Sequence, residues 1–132
     1  RFEGARRVID ISGDGPNNNG GPVTAARDAV LSRGITINGL PLMTREGLGS
    51  EWQIDDLDAY YRACVIGGPG AFVVPVTSWA GFEAAVRRKL VLEIAGRAQP
   101  RVHRVQSAGP TAYDCLIGEK LWEEHRDYWE SL

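Results

Sequence analysis

Residues 7–40 read RVIDISGDGPNNNGGPVTAARDAVLSRGITINGL, and this stretch decides the fold. The β-branched run at Arg7–Ser12 predicts a short buried strand, and the glycine-rich Gly13–Gly21 predicts a loop. Pro22 suits the first turn of a helix, where its missing N–H costs nothing, and ITINGL at Ile35–Leu40 predicts the next strand. The order strand, loop, helix, strand is a βαβ unit, which implies parallel strands joined by a right-handed crossover.

A second helix and a third strand are predicted downstream. Asp55 or Asp56 can cap a short helix that places four side chains on one face. These side chains are Leu57, Tyr60, Tyr61 and Cys64. The run AFVVPV at Ala71–Val76 predicts the third strand. Pro75 cannot donate to a ladder, so this strand lies at an edge or ends there.

Two more helices complete the chain. Thr77 or Ser78 caps a long helix that ends at Gly96. Its apolar stripe is formed by Trp79, Phe82, Val86 and Leu90, and Arg87, Arg88 and Lys89 fall mainly off that stripe. Arg97–Pro110 is polar and predicts a linker. Glu119–Leu132 predicts a C-terminal helix that docks back on the domain, giving a division into residues 1–96 and 97–132.

The bulk composition fits one globular domain and narrows the classes of partner. The chain has 132 residues, of which 43% are hydrophobic and 24% charged. The net charge of -2 and the pI of about 5.7 give no reason to expect nucleic acid, which requires a basic face. No apolar run approaches the ~20 residues of a membrane span.

Cys64 and Cys115 are the two cysteines of the chain. Two cysteines are too few for a disulfide scaffold or a structural zinc site built from thiolates. They form either one bridge, in an oxidising compartment, or two buried thiols. The bridge is favoured because each cysteine follows an aromatic segment that is expected to be packed.

The loop after the first predicted strand carries the best candidate site, because ligands of open parallel sheets bind beyond the carboxyl ends of strands. Its oxygen donors suit Mg²⁺, Mn²⁺ or Ca²⁺ and come from Ser12, Asp14, Asn17, Asn18 and Asn19. Gly13 and Gly15 are expected to let the backbone turn sharply and a ligand approach closely. The simpler alternative is a glycine-rich turn with local caps made by Asp14 and the asparagines.

Nucleotide binding and catalysis are less well supported by the sequence. Gly13-Asp14-Gly15-Pro16-Asn17-Asn18 echoes a dinucleotide fingerprint but lacks its third glycine, and the strand ending at Leu40 lacks the acidic residue that holds a ribose. No phosphate-binding G-x-x-x-x-G-K-[ST] loop is present, and no catalytic Ser-His-Asp or Cys-His arrangement is suggested. We therefore expect no enzyme activity.

Four blocks of sequence carry a resemblance to a known family. They read VIDISGDGPNN, PVTAARDAVLSRGITINGLPL, LDAYYRACVIGGPGAFVV and FEAAVRRKLVLEIAG, within residues 1–96. In order and spacing they resemble the C-terminal half of a von Willebrand factor A-like domain from a bacterial family of uncharacterised secreted proteins. The resemblance implies a Rossmann-like α/β parallel sheet, with about three strands in this chain, and a periplasmic or secreted location.

The resemblance also implies a function and its limits. A von Willebrand metal-ion-dependent adhesion site uses three loops, and Asp14 matches the aspartate of the third loop. The Asp-x-Ser-x-Ser motif of the first loop is absent, so the first three strands are expected upstream of Arg1. We expect a non-enzymatic protein-binding module in which Asp14 and Ser12 hold Mg²⁺ or Mn²⁺ in the intact domain, with weak or absent binding by this chain alone.

The binding role extends to the rest of the loop and to one strand edge. Gly13, Gly15, Asn17 and Asn18 are assigned to ligand binding, with Asn17 supporting the loop. The edge of Arg7–Ser12 is expected to pair with a second copy or with a missing N-terminal segment. The alternatives are a Rossmann-like phosphate- or nucleotide-binding enzyme domain, and a purely structural interaction fragment.

Overall fold

The computed structural model describes residues 6–44, 53–95 and 112–131. Two strands, β1 (Arg7–Gly13) and β2 (Ile35–Pro41), form a parallel sheet. The helices are α1 (Val23–Leu31), α2 (Leu57–Tyr60) with a π-helical continuation at Tyr61–Val65, α3 (Phe82–Ala95) after a 3₁₀ turn at Trp79–Gly81, and α4 (Ile117–Glu130). The chain is therefore mixed α/β with a C-terminal helix. Gly96 and the predicted linker Arg97–Pro110 lie outside the described residues.

The βαβ unit predicted at the start of the chain is present. β1 and β2 pair in parallel, from Arg7 opposite Ile35 to Gly13 opposite Pro41. The connecting helix α1 begins directly after Pro22. Gly34, with a φ of 68°, follows the helix and adopts the left-handed conformation that favours glycine at such an end.

The predicted third strand at Ala71–Val76 is not a regular strand, and this part of the sequence analysis was wrong. The segment runs beside β2 in isolated parallel bridges, Gly39 opposite Val73 and Leu42 opposite Val76. Its amide groups still donate to β2, with Val74 N 3.0 Å from Gly39 O and Val76 N 2.9 Å from Pro41 O. Pro75 stands between these two donors, so the position of its missing N–H faces away from β2 and removes no bond of this ladder. The bond that is missing is the one from Pro41 of β2, which has no N–H to donate to the Val74 carbonyl.

Hydrophobic clusters lie on the two faces of the sheet. The buried members of the first cluster come from α2 and its π-helical continuation: Leu57, Tyr60, Tyr61, Cys64 and Val65. The second cluster joins the sheet to α3 and contains Leu40, Val74, Val76 and Ala85. Ile11 of β1 packs on the first cluster, whereas Leu40 of β2 belongs to the second. Ile11 lies opposite Gly39, one position away from Leu40. Because successive side chains of a strand point to opposite faces, Ile11 and Leu40 face opposite sides of the sheet.

The apolar stripe predicted for α3 is partly wrong. Ser78 does cap the helix entry, since its hydroxyl accepts from the Gly81 amide, 3.2 Å away. However, Leu90 is half-exposed and Ile94 is 77% exposed, whereas Lys89 turns toward the sheet and pairs with Asp10. The physical reason is Asp10 itself, a carboxylate on the face of β1 that α3 covers. Burial lowers the pKa of Lys89, but the hydrogen bond and charge of Asp10 outweigh this and leave it raised.

The C-terminal helix α4 contacts the rest of the described chain at its first turn. Gly118 is buried and Glu119 is half-buried, but Trp122 and Tyr128 are exposed, and Trp129 is 70% exposed. Beyond that turn the large apolar side chains of α4 are exposed, apart from the half-buried Leu121. None of the helices in those ranges is long and apolar enough to cross a membrane.

Candidate functional site

A pocket opens at the carboxyl ends of the strands, which is where ligands of parallel sheets bind. Its volume is ≈ 190 Å³. Asp14 follows β1, Leu42 and Met43 follow β2, and Thr77 follows the extended segment beside β2, and all four line the pocket. The remaining wall comes from Gln53, Ile54, Asp55 and Leu57, at the start of α2. The segments that follow β1, β2 and the extended stretch beside β2 thus bring their side chains to one pocket.

The polar groups of this pocket are oxygen-rich and acidic. Asp14 and Asp55 supply carboxylates, Thr77 a hydroxyl and Gln53 an amide. Such hard oxygen donors suit divalent cations, and two carboxylates would repel a phosphate. Within residues 6–44, 53–95 and 112–131, no three His, Cys, Asp or Glu side chains are grouped so as to hold a metal. The donors therefore fit the chemistry of Mg²⁺ or Mn²⁺ but form an incomplete set.

Tyr61 supports the backbone on which Asp14 stands. A Cβ atom on residue 13 would lie 3.1 Å from the Tyr61 hydroxyl, so Gly13 allows this ring to pack under the end of β1. Burial, with smaller contributions from Tyr60 and the Asp14 carboxylate, raises the pKa of Tyr61 to about 12. Tyr61 is thus a neutral phenol at physiological pH.

The glycines beside Asp14 differ from expectation in conformation. Neither Gly13 nor Gly15 has a positive φ, whereas Gly20, near the end of the same loop, has a φ of 80°. The special turn expected next to Asp14 therefore lies at Gly20. Gly13 is required by the close approach of Tyr61 rather than by its own dihedral angles.

Asn17 fixes the middle of the loop through three hydrogen bonds. Its backbone N–H donates to the Tyr60 hydroxyl at 3.0 Å. Its side-chain Nδ2 donates to the Gly21 carbonyl at 3.2 Å and to Glu119 Oε1 at 2.8 Å. Both protons of the amide nitrogen are therefore engaged, and they join the loop to its own end and to α4.

A disulfide and the half-buried Tyr113 hold the C-terminal segment beside α2. Cys64 and Cys115 are bridged, with their Cα atoms 5.6 Å apart, which confirms the favoured pairing. The Tyr113 ring packs edge-on against Tyr60, with centroids 6.1 Å apart. Burial and a hydrogen bond to the Asp56 carboxylate raise the pKa of Tyr113. Asp56 therefore binds the C-terminal segment, although it stands at the N-cap of α2 without capping it.

The site residues chosen from the sequence are separated by the fold. Asp14 lines the pocket, and Asn17 lies in the contact with α4. Ser12 is exposed and, by the alternation of β1, faces the side of the sheet that α3 covers. Asn18 is exposed and Gly15 is half-buried, and neither lines the pocket.

Comparison with known proteins places the chain in one family. The family described as "Protein of unknown function (DUF1194)" matches residues 1–98. The chain belongs to this family. No curated protein and no solved structure matches the sequence.

The DUF1194 match includes every residue that lines the pocket, together with Cys64. Cys115, Gly118 and Glu119 lie beyond it. Sequence reasoning had found Asp14 but missed Thr77 as a pocket residue, because it was assigned to a helix cap. A usable signal existed, since Thr77 follows the third predicted strand as directly as Asp14 follows the first. Asp55 had been assigned to capping, and nothing in the sequence placed it beside Asp14.

Proposed function

We propose that this chain is a non-enzymatic protein-binding module of von Willebrand A type, with a partial metal-ion-dependent adhesion site. The observation that carries the proposal is the pocket shared by Asp14, Asp55 and Thr77 at the carboxyl ends of the strands. The position of Asp14, directly after a strand whose neighbour is β2, supports the match to the third loop of that site. The sheet would then be part of a Rossmann-like sheet.

In this proposal, Asp14 and Asp55 hold Mg²⁺ or Mn²⁺ together with the Thr77 hydroxyl. The metal supplies a positive centre that an acidic group of a protein partner can reach. Two carboxylates and one hydroxyl leave much of the preference of Mg²⁺ for near-octahedral oxygen coordination unmet, so we expect weak binding by the chain alone. Ser12, exposed at the end of β1, takes no part in the pocket.

A Mn²⁺ titration tests the metal site. Isothermal titration calorimetry and thermal denaturation would compare the wild type with Asp14→Asn, and with Asp127→Asn as a matched control on exposed α4. We expect Mn²⁺ to stabilise the wild type and Asp127→Asn but not Asp14→Asn. A wild type that ignores Mn²⁺, or an Asp14→Asn variant that responds as the wild type does, would contradict the proposal.

The two carboxylates also weigh against the phosphate-binding alternative. A nucleotide site would need donors or cations at the end of the sheet, and the pocket offers neither a Lys nor an Arg within the described residues. Thermal denaturation with inorganic phosphate or a nucleotide in the absence of metal should therefore leave the midpoint unchanged.

We propose further that the outer edge of β1 pairs with an apolar strand from the N-terminal half of such a domain, as the resemblance implies. In the described ranges β1 pairs only with β2. Ile9 at this edge is 39% exposed, whereas β2 is buried along nearly its whole length. An unpaired apolar edge is a template for another strand.

Light scattering after size-exclusion chromatography tests this open edge. An open β1 edge should make the chain self-associate as its concentration rises. Ile9→Lys, which places a charge on the edge, should reduce the association, and Ala25→Lys on the exposed side of α1 should not. A wild type that remains monomeric at all concentrations would refute the proposed pairing. The disulfide is consistent with a secreted or periplasmic setting for these interactions.

A further inference from the structure

The start of α4 touches the loop that carries Asp14 at a point where only glycine fits. A Cβ atom on residue 118 would collide with the carbonyl oxygen of Asn17, and it would lie 2.9 Å from the carbonyl carbon and 3.0 Å from Pro16 Cβ. Two of these three neighbours are backbone atoms, which cannot rotate away as a flexible side chain would. Gly118 therefore permits an approach that any other residue would prevent.

Glu119 adds a directional contact at the same point. Its Oε1 accepts from Asn17 Nδ2 at 2.8 Å, a hydrogen bond strengthened by the charge of the carboxylate. Its Oε2 is buried and has no hydrogen-bond partner among the described residues. Burying a carboxylate oxygen in this way is unfavourable, so α4 retains the contact at a cost to its own stability.

The disulfide and Tyr113 keep this contact in place. Cys115 lies three residues before Gly118, so the bridge to Cys64 fixes the start of α4 beside the first hydrophobic cluster. Asn17 in turn donates its backbone N–H to Tyr60, a member of that cluster. The loop is thus held from two sides, by α2 and by α4, three residues after Asp14.

We propose that the C-terminal segment Ala112–Ser131 is a brace that positions the Asp14 loop, with Glu119 and Gly118 as positioning residues. The segment carries no pocket side chain. It acts through Asn17, whose fixed position limits how far Asp14 can move relative to Thr77 and Asp55. The inference rests on the proposed function for its effect on metal affinity, but the brace itself is a separate and measurable property of the loop.

The test compares Glu119→Ala with Glu119→Gln by hydrogen exchange at the Asn17 amide and by Mn²⁺ titration. In Glu119→Ala, losing a charge-assisted hydrogen bond should speed exchange about tenfold and weaken Mn²⁺ binding by up to about the same factor. Glu119→Gln keeps an oxygen that accepts from Asn17 but loses the charge that strengthens the bond, so both values should fall between those of the wild type and those of Glu119→Ala. Glu123→Ala, exposed one turn further along α4, is the matched control and should change neither.

Gly118→Ala provides a second variant with the carboxylate intact. The added methyl group should force α4 and the loop apart and speed exchange at Asn17, while the disulfide keeps the segment tethered. Unchanged exchange in both Glu119→Ala and Gly118→Ala would overturn the brace. Faster exchange with unchanged Mn²⁺ affinity would overturn its coupling to Asp14. If the wild type binds no Mn²⁺, the proposed function fails, and exchange at Asn17 still decides whether the brace exists.

Discussion

Removing the disulfide should cost this chain a large part of its stability. Cys64 and Cys115 are separated by 51 residues. In the chain-entropy description, a loop of that length removes about 14 cal/mol/K from the unfolded ensemble, which is about 4 kcal/mol at room temperature. A domain of this size is stable by roughly 5–15 kcal/mol, so the double variant Cys64→Ala, Cys115→Ala should keep only roughly 1–11 kcal/mol of that stability.

Urea denaturation followed by circular dichroism and tryptophan fluorescence measures this loss. The oxidised wild type is compared with the double variant and with the wild type under a dithiol reductant, which opens the same bond without changing a side chain. Both should unfold at a lower urea concentration. If the free energy of unfolding also falls less steeply with urea concentration, α4 has detached from the rest of the protein, because less surface is then buried in the folded state. A loss below about 1 kcal/mol would refute the reasoning.

Three further substitutions test the packing of Gly39 in β2, the buried phenol of Tyr61 and the ion pair of Asp58 with Arg62. Gly39→Ala should destabilise by about 1–3 kcal/mol in urea denaturation, because the new Cβ would lie 2.5 Å from Tyr61 Cδ1 in a packed site. In Tyr61→Phe, the free energy of unfolding should decrease less between pH 10 and pH 12 than in the wild type. The pKa of this buried phenol is raised to about 12, so the wild type loses up to roughly 3 kcal/mol as the pH rises from the unfolded value of about 10. The Arg62 hydrogen bond lowers the pKa of Asp58, so its contribution is present above the unfolded value of 3.8 and is lost as the pH falls. Asp58→Asn should cost only about 0.3–0.5 kcal/mol at neutral pH, measured by urea denaturation, and little in acid.

Local patterns in the sequence were sufficient to predict the elements of residues 7–41, although β1, predicted as a buried strand, has no fully buried residue. A β-branched run, a proline at the first helical turn and a glycine at its end each act within a few residues, and β1, α1 and β2 form where these patterns predict them. The same is true of four buried side chains of the first cluster, which come from α2 and its π-helical continuation: Leu57, Tyr60, Tyr61 and Cys64. Pro75 was expected to place the third segment at an edge or to end it, and the hydrogen bonds to β2 continue on both sides of Pro75. The effect of Pro41 on this ladder depends on the register against β2, which the sequence does not contain.

Packing across the sheet explains why the prediction for α3 failed. A periodic stripe predicts which side of a helix is most apolar, but the partner decides which side is buried. Asp10, although it lies in a strand that reads as central and apolar, faces α3 and favours Lys89 over Leu90 at the contact. Ile94, near the end of α3, remains 77% exposed.

The candidate site shows the same division between local and long-range information. Asp14 could be found because one rule, that ligands bind beyond the ends of parallel strands, applies to a residue directly after a strand. The same rule applies to Thr77. It identifies Thr77 as a site residue only once Thr77 and Asp14 are known to line the same pocket. Asn17 was assigned to the site for its oxygen, yet the structure uses its nitrogen, which reaches Glu119 across 102 positions of sequence. Because both protons of the Asn17 amide group are used in hydrogen bonds within the fold, this side chain serves to hold neighbouring segments in position. Asn17 therefore supports the loop, whereas Asp14 lines the pocket.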